Sequence, residues 1–191
     1  MTLSNTDNEA TLLRSIKDGN KPAMHTLYCR YVRYLTAICT RYINDEEDVR
    51  DVMQDSFVKI FSTITAFSYR GDGSLKAWMA KIVLNETLKF IQKNCRLNFI
   101  ELKNNEIDIS SPPDDEPPTE SLPSSVIFEM IRSLPDGYRT IFNLHIIEEK
   151  SHKEIAQLLG ITESTSASQL HRAKALLANK IKNYKSTEAR R

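Results

Sequence analysis

The sequence predicts an all-α fold in which two small helical domains are joined by a flexible, acidic, proline-rich linker, the second domain containing a helix-turn-helix. Three observations lead to this prediction. Apolar residues recur at helical spacing, no segment alternates like a β-strand, and prolines and acids concentrate in one internal stretch. We expect the domains to span residues 8–95 and 124–184, with the linker at 96–123.

Four helices are predicted in the first domain, over residues 8–17, 22–42, 45–64 and 75–93. A proline in the first turn favours the start of the second helix, and Asp45 is a typical cap for the third. The residues expected to face the core from the second and third helices are Leu27, Tyr31, Leu35, Ile38, Tyr42, Val49, Val52, Met53, Phe57, Ile60 and Ile64.

The predicted linker has a composition that does not favour folding. Residues 104–124 contain paired prolines and an acidic run with little apolar surface to bury. Residues 95–123 carry 2 basic and 7 acidic groups, whereas the whole chain has a formal net charge of +1. Because phosphate contacts supply most non-specific DNA affinity, a chain this balanced is expected to bind DNA weakly without a partner.

The second domain is predicted to begin with helices over residues 126–134 and 138–147. Ser151 and Glu154 then form the pattern of a capping box, which indicates the start of a third helix. Gly160 is a residue that readily adopts the left-handed conformation at a helix end. A short helix and a tight turn are therefore expected before the last helix.

The last helix has an apolar stripe and a polar face. Thr162 is expected to cap it. Short hydroxyls, an amide and an arginine near a helix N-terminus can donate to phosphates and reach base edges, as a DNA recognition helix requires. The alternative is an ordinary helical hairpin with a solvated polar face. The stripe comprises Leu170, Ala173, Leu176 and Leu177, and the polar face comprises Ser164, Thr165, Ser168, Gln169, His171 and Arg172.

No enzymatic pattern is present in the sequence: there is no glycine-rich phosphate loop, no nucleophile elbow and no histidine at catalytic spacing from a carboxylate. We expect no enzyme activity, no cofactor and no metal. Cys29, Cys39 and Cys95 are interpreted as buried thiols, although His25 lies one turn from Cys29 and leaves a metal or redox role as the alternative. No apolar run of membrane-spanning length and no signal peptide occur, so a cytoplasmic location is expected.

Two surfaces of the first domain carry candidate binding residues. Asp51 and Asp55 lie one helical turn apart, either on a solvated face or on a docking face for another protein. The stretch that follows combines aromatic, basic and amide groups around a glycine turn, as a surface for single-stranded nucleic acid does. The alternative places Trp78 in the core and the lysines in solvent. This second candidate surface comprises Tyr69, Arg70, Trp78, Lys81, Asn85, Lys89 and Lys93.

In this order, the docking helix, aromatic loop, acidic linker and helix-turn-helix resemble the extracytoplasmic-function (ECF) group of bacterial RNA polymerase sigma factors. The family pattern DVxQDxF appears as Asp51, Val52, Gln54, Asp55 and Phe57, whereas Arg50 replaces a usual acid. The resemblance implies docking on the clamp helices of the largest polymerase subunit. The residues expected there are Asp51, Gln54, Asp55 and Lys59.

The next stretch resembles the family pattern FRGDxxFxxWLxRIxxN. The resemblance implies that it opens the minus-ten promoter region and captures a flipped base of the non-template strand. Lys89 and Gln92 depart from an aspartate and an arginine that are frequent in the family. The residues expected to contact minus-ten DNA are Tyr69, Arg70, Gly71, Asp72, Trp78, Lys81, Asn85 and Lys89.

The C-terminal part resembles the family patterns LPxxYRxxFxLxxIE, beginning at Leu134, and EIAxxLGI, beginning at Glu154. By resemblance, its last helix reads the minus-thirty-five element in the major groove, while Ala167 and Gln169 replace frequent basic residues. The implied partners are core polymerase, including the flap of its second-largest subunit, promoter DNA, and an anti-sigma factor of the kind often tethered to a membrane. The residues expected to contact this element are Ser164, Thr165, Ser168, Gln169 and Arg172.

The resemblance also implies that the linker threads the polymerase cleft, where Asp114, Asp115 and Glu116 would mimic RNA. Two other functions are compatible with parts of the sequence. A free-standing regulator would bind promoters tightly without polymerase, and an interaction protein would occupy polymerase or a sigma-inhibiting partner without opening DNA. Neither alternative requires the strand-capturing loop.

Overall fold

The computed structural model describes residues 5–94 and 122–188. Within these residues every regular element is helical, which confirms the predicted all-α class. The chain divides into two compact units, residues 1–90 and 91–191. Residues 95–121, which include Cys95 and the linker acids Asp114, Asp115 and Glu116, lie outside the described residues.

The N-terminal unit is built from four helices, and side-chain caps mark where two of them begin. The Asn20 side chain accepts a hydrogen bond from the Ala23 N–H at 3.1 Å at the start of the second helix. Asp45 accepts from two backbone N–H groups at the start of the third, as predicted. The helices are α1 (Asn5–Lys17), α2 (Lys21–Cys39), α3 (Glu46–Thr63) and α4 (Ser74–Asn94), with a 3₁₀ turn (Ile64–Ala66) after α3.

The core of this unit is the one that the apolar periodicity predicts. Every residue expected to face inward from α2 and α3 is buried, including Leu27 and Ile60 at 0 % exposure. The predicted length of α2 is wrong, because the helix ends at Cys39 rather than at Tyr42. The Tyr42 N–H bonds to the Cys39 carbonyl at 2.9 Å in a tight turn, so the tyrosine reaches the core from outside the helix.

The C-terminal unit packs three shorter helical elements against one long helix. The elements are α5 (Ser124–Arg132), α6 (Asp136–Phe142) with a π-helical turn (Asn143–Ile147), α7 (His152–Leu159) and α8 (Glu163–Glu188). The predicted single helix over 138–147 is therefore wrong in its second half, where the helix widens. Leu134 and Tyr138 pack with Ala173 and Leu177 of α8 to form the core.

The turn between α7 and α8 has the predicted chemistry. Ser151 and Glu154 form a complete capping box at the start of α7. Gly160 ends the helix with a φ of 67°, in the left-handed region that a side chain would disfavour. The Thr162 hydroxyl accepts from the Thr165 N–H at 3.0 Å, so Thr162 caps α8.

A buried arginine of α6 forms hydrogen bonds to the backbone at the turn between α5 and α6. Arg139 is 2 % exposed, and its guanidinium donates to the carbonyl oxygens of Arg132 at 3.1 Å and Leu134 at 3.0 Å. It also pairs with the half-exposed carboxylate of Asp136 at 2.7 Å. Arg139 thus supplies charged donors to two backbone carbonyl oxygens at this corner.

We expect Arg139→Met to lower the free energy of unfolding of the C-terminal unit by about 2–3 kcal/mol, because both carbonyls lose a charged donor. Hydrogen exchange of α5 to α8 measures this change. Arg33→Met, on the exposed surface of α2, is the matched control and should leave exchange unchanged. Equal protection in the two variants would contradict the assigned role of Arg139.

Candidate partner and nucleic-acid interfaces

The outer face of α3 is polar and accessible, as the sequence predicts. Asp51, Gln54 and Asp55 are exposed, and so is Arg50. Val58 continues this face one turn later with 64 % of its surface exposed, a contribution that the sequence interpretation missed. We call the face made by Asp51, Gln54, Asp55 and Val58 the α3 face. It offers carboxylates, an amide and an apolar contact to a partner.

Lys59 faces a different environment from the α3 face. Its ammonium lies 2.5 Å from Glu86 Oε1, and the ammonium of Lys89 lies 3.0 Å from the same oxygen. The sequence assigned these lysines to different partners, yet the structure brings both to one carboxylate of α4. The spacing of Glu86 and Lys89 signals an ion pair, but the contact with Lys59 spans 27 residues and has no local signal.

The two lysines stabilise the charged form of Glu86. Burial raises the pKa of Glu86, but the hydrogen bonds and charges of Lys59 and Lys89 outweigh burial and leave that pKa lowered. The hydrogen bond to Glu86 is the main cause of the raised pKa of Lys59. Glu86 and Lys59 are therefore both charged at neutral pH.

The loop before α4 spans residues 68–73, and we call it the glycine loop. It is held in shape by its own hydrogen bonds. The Tyr69 hydroxyl donates to Asp72 at 2.8 Å, and this bond raises the pKa of Tyr69 to about 12. Ser74 Oγ donates to the Gly71 carbonyl at 2.6 Å. Gly71 and Gly73 adopt φ angles of 106° and 78°, in the left-handed region that favours glycine.

The predicted nucleic-acid residues of α4 lie along one side of the helix. Trp78, Lys81, Asn85 and Lys89 follow one another at spacings of three and four residues. Lys81, Asn85 and Lys89 are exposed, together with Arg70 and Asp72 of the loop. Trp78 is half-buried, and its ring lies 4.9 Å from the ring of Phe67. It is both a packing residue and partly accessible.

A cavity of about 430 Å³ adjoins this loop within the N-terminal unit. Inside the unit, Glu9 Oε2 and Arg30 Nη1 are buried atoms without a hydrogen-bond partner. The other Glu9 oxygen accepts from the Tyr31 hydroxyl. The sequence interpretation missed this cavity, because its walls come from three separate segments. It is lined by Glu9, Arg30, Tyr31, Tyr34, Asp72, Gly73 and Lys76.

The start of α8 presents part of the predicted polar face. Ser164 and Ser168 are exposed, while Thr165 and Arg172 are half-buried. The placement of Gln169 on this face is wrong, because the residue is only 4 % exposed. Gln169 lies one turn before Ala173 and beside Leu170, so it falls on the side of α8 that packs inward.

The cysteines do not all behave as predicted. Cys39 is buried, but Cys29 is exposed and its Sγ lies 3.6 Å from His25 Nε2. The interpretation of Cys29 as a buried thiol is wrong, because its position falls on the outer side of α2. The described residues contain no group of three or more histidine, cysteine or acidic side chains that could hold a metal ion. In the same residues, no helix is both long and apolar enough to cross a bilayer.

Two families match this chain in the order that the sequence resemblance implies. Sigma-70 region 2 matches residues 27–96, and Sigma-70 region 4 matches residues 125–177. The first match includes α3, the glycine loop and α4. The second includes the helix-turn-helix of α7 and α8.

Curated relatives match nearly the whole chain. The ECF RNA polymerase sigma-E factor of Haemophilus influenzae is 26% identical over 182 residues, which cover 91% of this chain and 95% of the relative. The ECF RNA polymerase sigma-E factor of Salmonella typhimurium is 27% identical over 183 residues, which cover 91% of this chain and 94% of the relative.

A solved structure also matches the chain: CnrH in complex with the cytosolic domain of CnrY is 24% identical, with a TM-score of 0.45, and the match covers 91% of this chain and 96% of CnrH. The region matches and the curated relatives lead to one assignment. This chain belongs to the ECF sigma factors, which bind core RNA polymerase and direct promoter-specific transcription initiation.

Proposed function

We propose that the N-terminal unit docks on the polymerase clamp through α3 and melts the minus-ten element with the glycine loop and α4. The start of α8 reads the minus-thirty-five element in this proposal. The cavity beside the glycine loop is the observation that carries it, because strand capture distinguishes a sigma factor from a free regulator or a simple polymerase-binding protein.

The cavity suits a nucleobase better than a phosphate. It is lined by two acidic and two basic side chains, Glu9 and Asp72 with Arg30 and Lys76, so it offers no excess positive charge to a phosphate. The unpartnered Glu9 oxygen accepts hydrogen bonds and the unpartnered Arg30 nitrogen donates them. The edge of an unpaired base carries both complementary groups. A captured base would therefore meet both an acidic and a basic hydrogen-bonding side chain in the cavity wall.

The backbone of the melted strand follows α4 in this proposal. Lys81 and Lys89 contact phosphates, and Asn85 between them reaches a base edge. Arg70 and Tyr69 extend the contact along the loop, and the accessible part of Trp78 is available for stacking. The loop residues keep their shape through the bond from Tyr69 to Asp72.

The polymerase contact is assigned to the α3 face. Its carboxylates attract a basic or amide-rich helix, and Val58 supplies apolar area at the same contact. Lys59, predicted for this contact, instead pairs with Glu86 beside the face. We therefore propose Asp51, Gln54 and Asp55 as its main polar groups, and Lys59 as a group that becomes available when the ion pair opens.

The remaining functional assignments follow from the family. Ser164, Thr165, Ser168 and Arg172 are proposed for upstream DNA, and Gln169 is left out because it is buried. We propose that an anti-sigma factor regulates the chain, that the protein acts on polymerase in the cytoplasm, and that it has no catalytic activity of its own. Sigma factors are non-enzymatic initiation factors.

Reconstituted transcription tests the proposed function. Purified core polymerase, with and without the chain, is supplied with a promoter upstream of the chain's own gene and with promoters selected from a randomised library. We expect specific transcripts, and thymines reactive to permanganate near the minus-ten element, only when the chain is present. Tight duplex binding without core polymerase would favour a free regulator, and core binding without any melted promoter would favour an interaction protein.

Glu9→Gln and Arg30→Met should each reduce the permanganate reactivity of melted thymines about ten-fold, since each removes a charged hydrogen-bonding group from the cavity. Core binding should not change, because the cavity is separate from the α3 face. The matched controls are Glu129→Gln on α5 and Arg33→Met on α2, both exposed. Normal melting by both cavity variants would refute the proposed base pocket.

Asp55→Lys should weaken binding to core polymerase about ten-fold by placing a cation against a basic partner surface. Titration of labelled chain with core polymerase at fixed salt measures the affinity. Asp18→Lys makes the same charge change at an exposed site beyond the end of α1 and is expected to bind normally. If both variants bind equally well, the clamp contact lies on another face.

A further inference from the structure

We infer that a stacked pair of histidines, His145 and His152, holds α8 in its orientation on α7 through Ser166, and that upstream promoter recognition therefore weakens in mildly acidic conditions. The second part rests on the proposed reading of DNA by α8. We call His145, His152 and Ser166 the histidine relay.

The relay connects three elements of the C-terminal unit. The imidazole rings lie parallel within 5°, with their centroids 4.7 Å apart. His145 belongs to the π-helical turn, His152 is the first residue of α7, and Ser166 lies in the first turns of α8. The three groups join the segments that together set the angle of the helix-turn-helix.

Each ring has one nitrogen in a defined hydrogen bond. His145 Nδ1 lies 2.9 Å from the Lys150 carbonyl, and because a carbonyl only accepts, this nitrogen carries the proton. His152 Nδ1 lies 2.9 Å from Ser166 Oγ. The hydrogen bond to the Lys150 carbonyl fixes the His145 ring, and stacking on that ring orients His152. The hydrogen bond between His152 and Ser166 then connects the pair to α8.

Ser166 is well placed to control the recognition surface. It is 0 % exposed, so its hydroxyl depends on a protein partner rather than on water. It lies midway between the exposed Ser164 and Ser168, two positions from each. A rotation or shift of α8 that breaks the bond to His152 also moves both of these proposed DNA contacts.

The neutral form of His152 is favoured by its surroundings. Partial burial first, and then the neighbouring His145 ring, lower the pKa of His152, while the Glu163 carboxylate at the start of α8 opposes the shift. A lowered pKa means that the folded unit binds fewer protons than the unfolded chain. The stabilisation is therefore present above the ordinary histidine pKa of about 6.5 and is lost as pH falls through the lower folded-state value.

Two substitutions separate positioning from titration. Ser166→Ala removes the hydrogen bond to the relay at every pH. His152→Asn keeps a side chain that can bond Ser166 in place of Nδ1 but cannot gain a proton. His25→Asn, on the exposed surface of α2, is the matched control for the loss of one histidine.

The readout is promoter discrimination by the holoenzyme: the ratio of transcription from a library-selected promoter to transcription from its copy with a scrambled minus-thirty-five element. We expect Ser166→Ala to lose at least about five-fold in this ratio, as for one lost base contact. From about pH 7.5 to about pH 5, a range that extends well below the ordinary histidine pKa, the ratio should fall for the unaltered chain and for His25→Asn but not for His152→Asn. Taking a ratio removes the pH dependence of the polymerase itself.

Arg172→Ala separates failure of this inference from failure of the proposed function. If Arg172→Ala loses discrimination while Ser166→Ala keeps it, or if His152→Asn retains the pH dependence, the inference is overturned. If none of the variants affects discrimination, α8 does not read this DNA, and hydrogen exchange of α8 in the full chain decides the positioning role. Faster exchange in Ser166→Ala than in His25→Asn then supports the relay, and equal exchange overturns it.

Discussion

Burial of the apolar sides of the longer helices is the constraint on which both units depend. In α8, Ala173 and Leu177 pack against Leu134 and Tyr138, and this contact, together with the histidine relay, sets how the helix is rotated about its axis. The rotation in turn decides which polar residues reach solvent. The same reasoning applies to α3, where buried Val52 and Ile60 leave the α3 face outward. Core packing thus selects the surfaces proposed to meet polymerase and DNA.

The ion pairs of Glu86 add little stability to the contact between α3 and α4. The side chain of Lys59 is 43% exposed and that of Lys89 60%, so each ion pair contributes at most about 1 kcal/mol. Such pairs do not hold α3 and α4 together, which is the role of the core. They keep two cations occupied in the free protein, and a phosphate or a partner carboxylate can replace Glu86 at small cost.

Local chemistry explains which features were predictable from the sequence. The Asp45 cap, the capping box and the left-handed Gly160 each depend on residues within one turn of one another, and all three occur as predicted. The buried stripes follow from periodicity alone. These features account for the fold class and for the position of the helix-turn-helix.

The incorrect predictions share a different cause. Gln169 was assigned to the DNA face by its residue type, but the width of the buried side of α8 decides its exposure. The π-helical turn has no distinct residue pattern. The cavity and the histidine relay join residues that are far apart in sequence, such as Glu9 with Asp72 and His152 with Ser166. Tertiary contacts of this kind leave no local periodicity for sequence analysis to detect.

The near-neutral charge of the chain is consistent with a sigma factor whose separate DNA contacts are weak. A net charge of +1, a cavity with balanced charges and two lysines bound to Glu86 all limit the attraction of the free protein for DNA. Two weak contacts become selective when a common scaffold presents them together, since the second contact then forms at high effective concentration. Polymerase would supply that scaffold. Low intrinsic affinity then becomes an advantage, because the chain is not retained on DNA that lacks either promoter element.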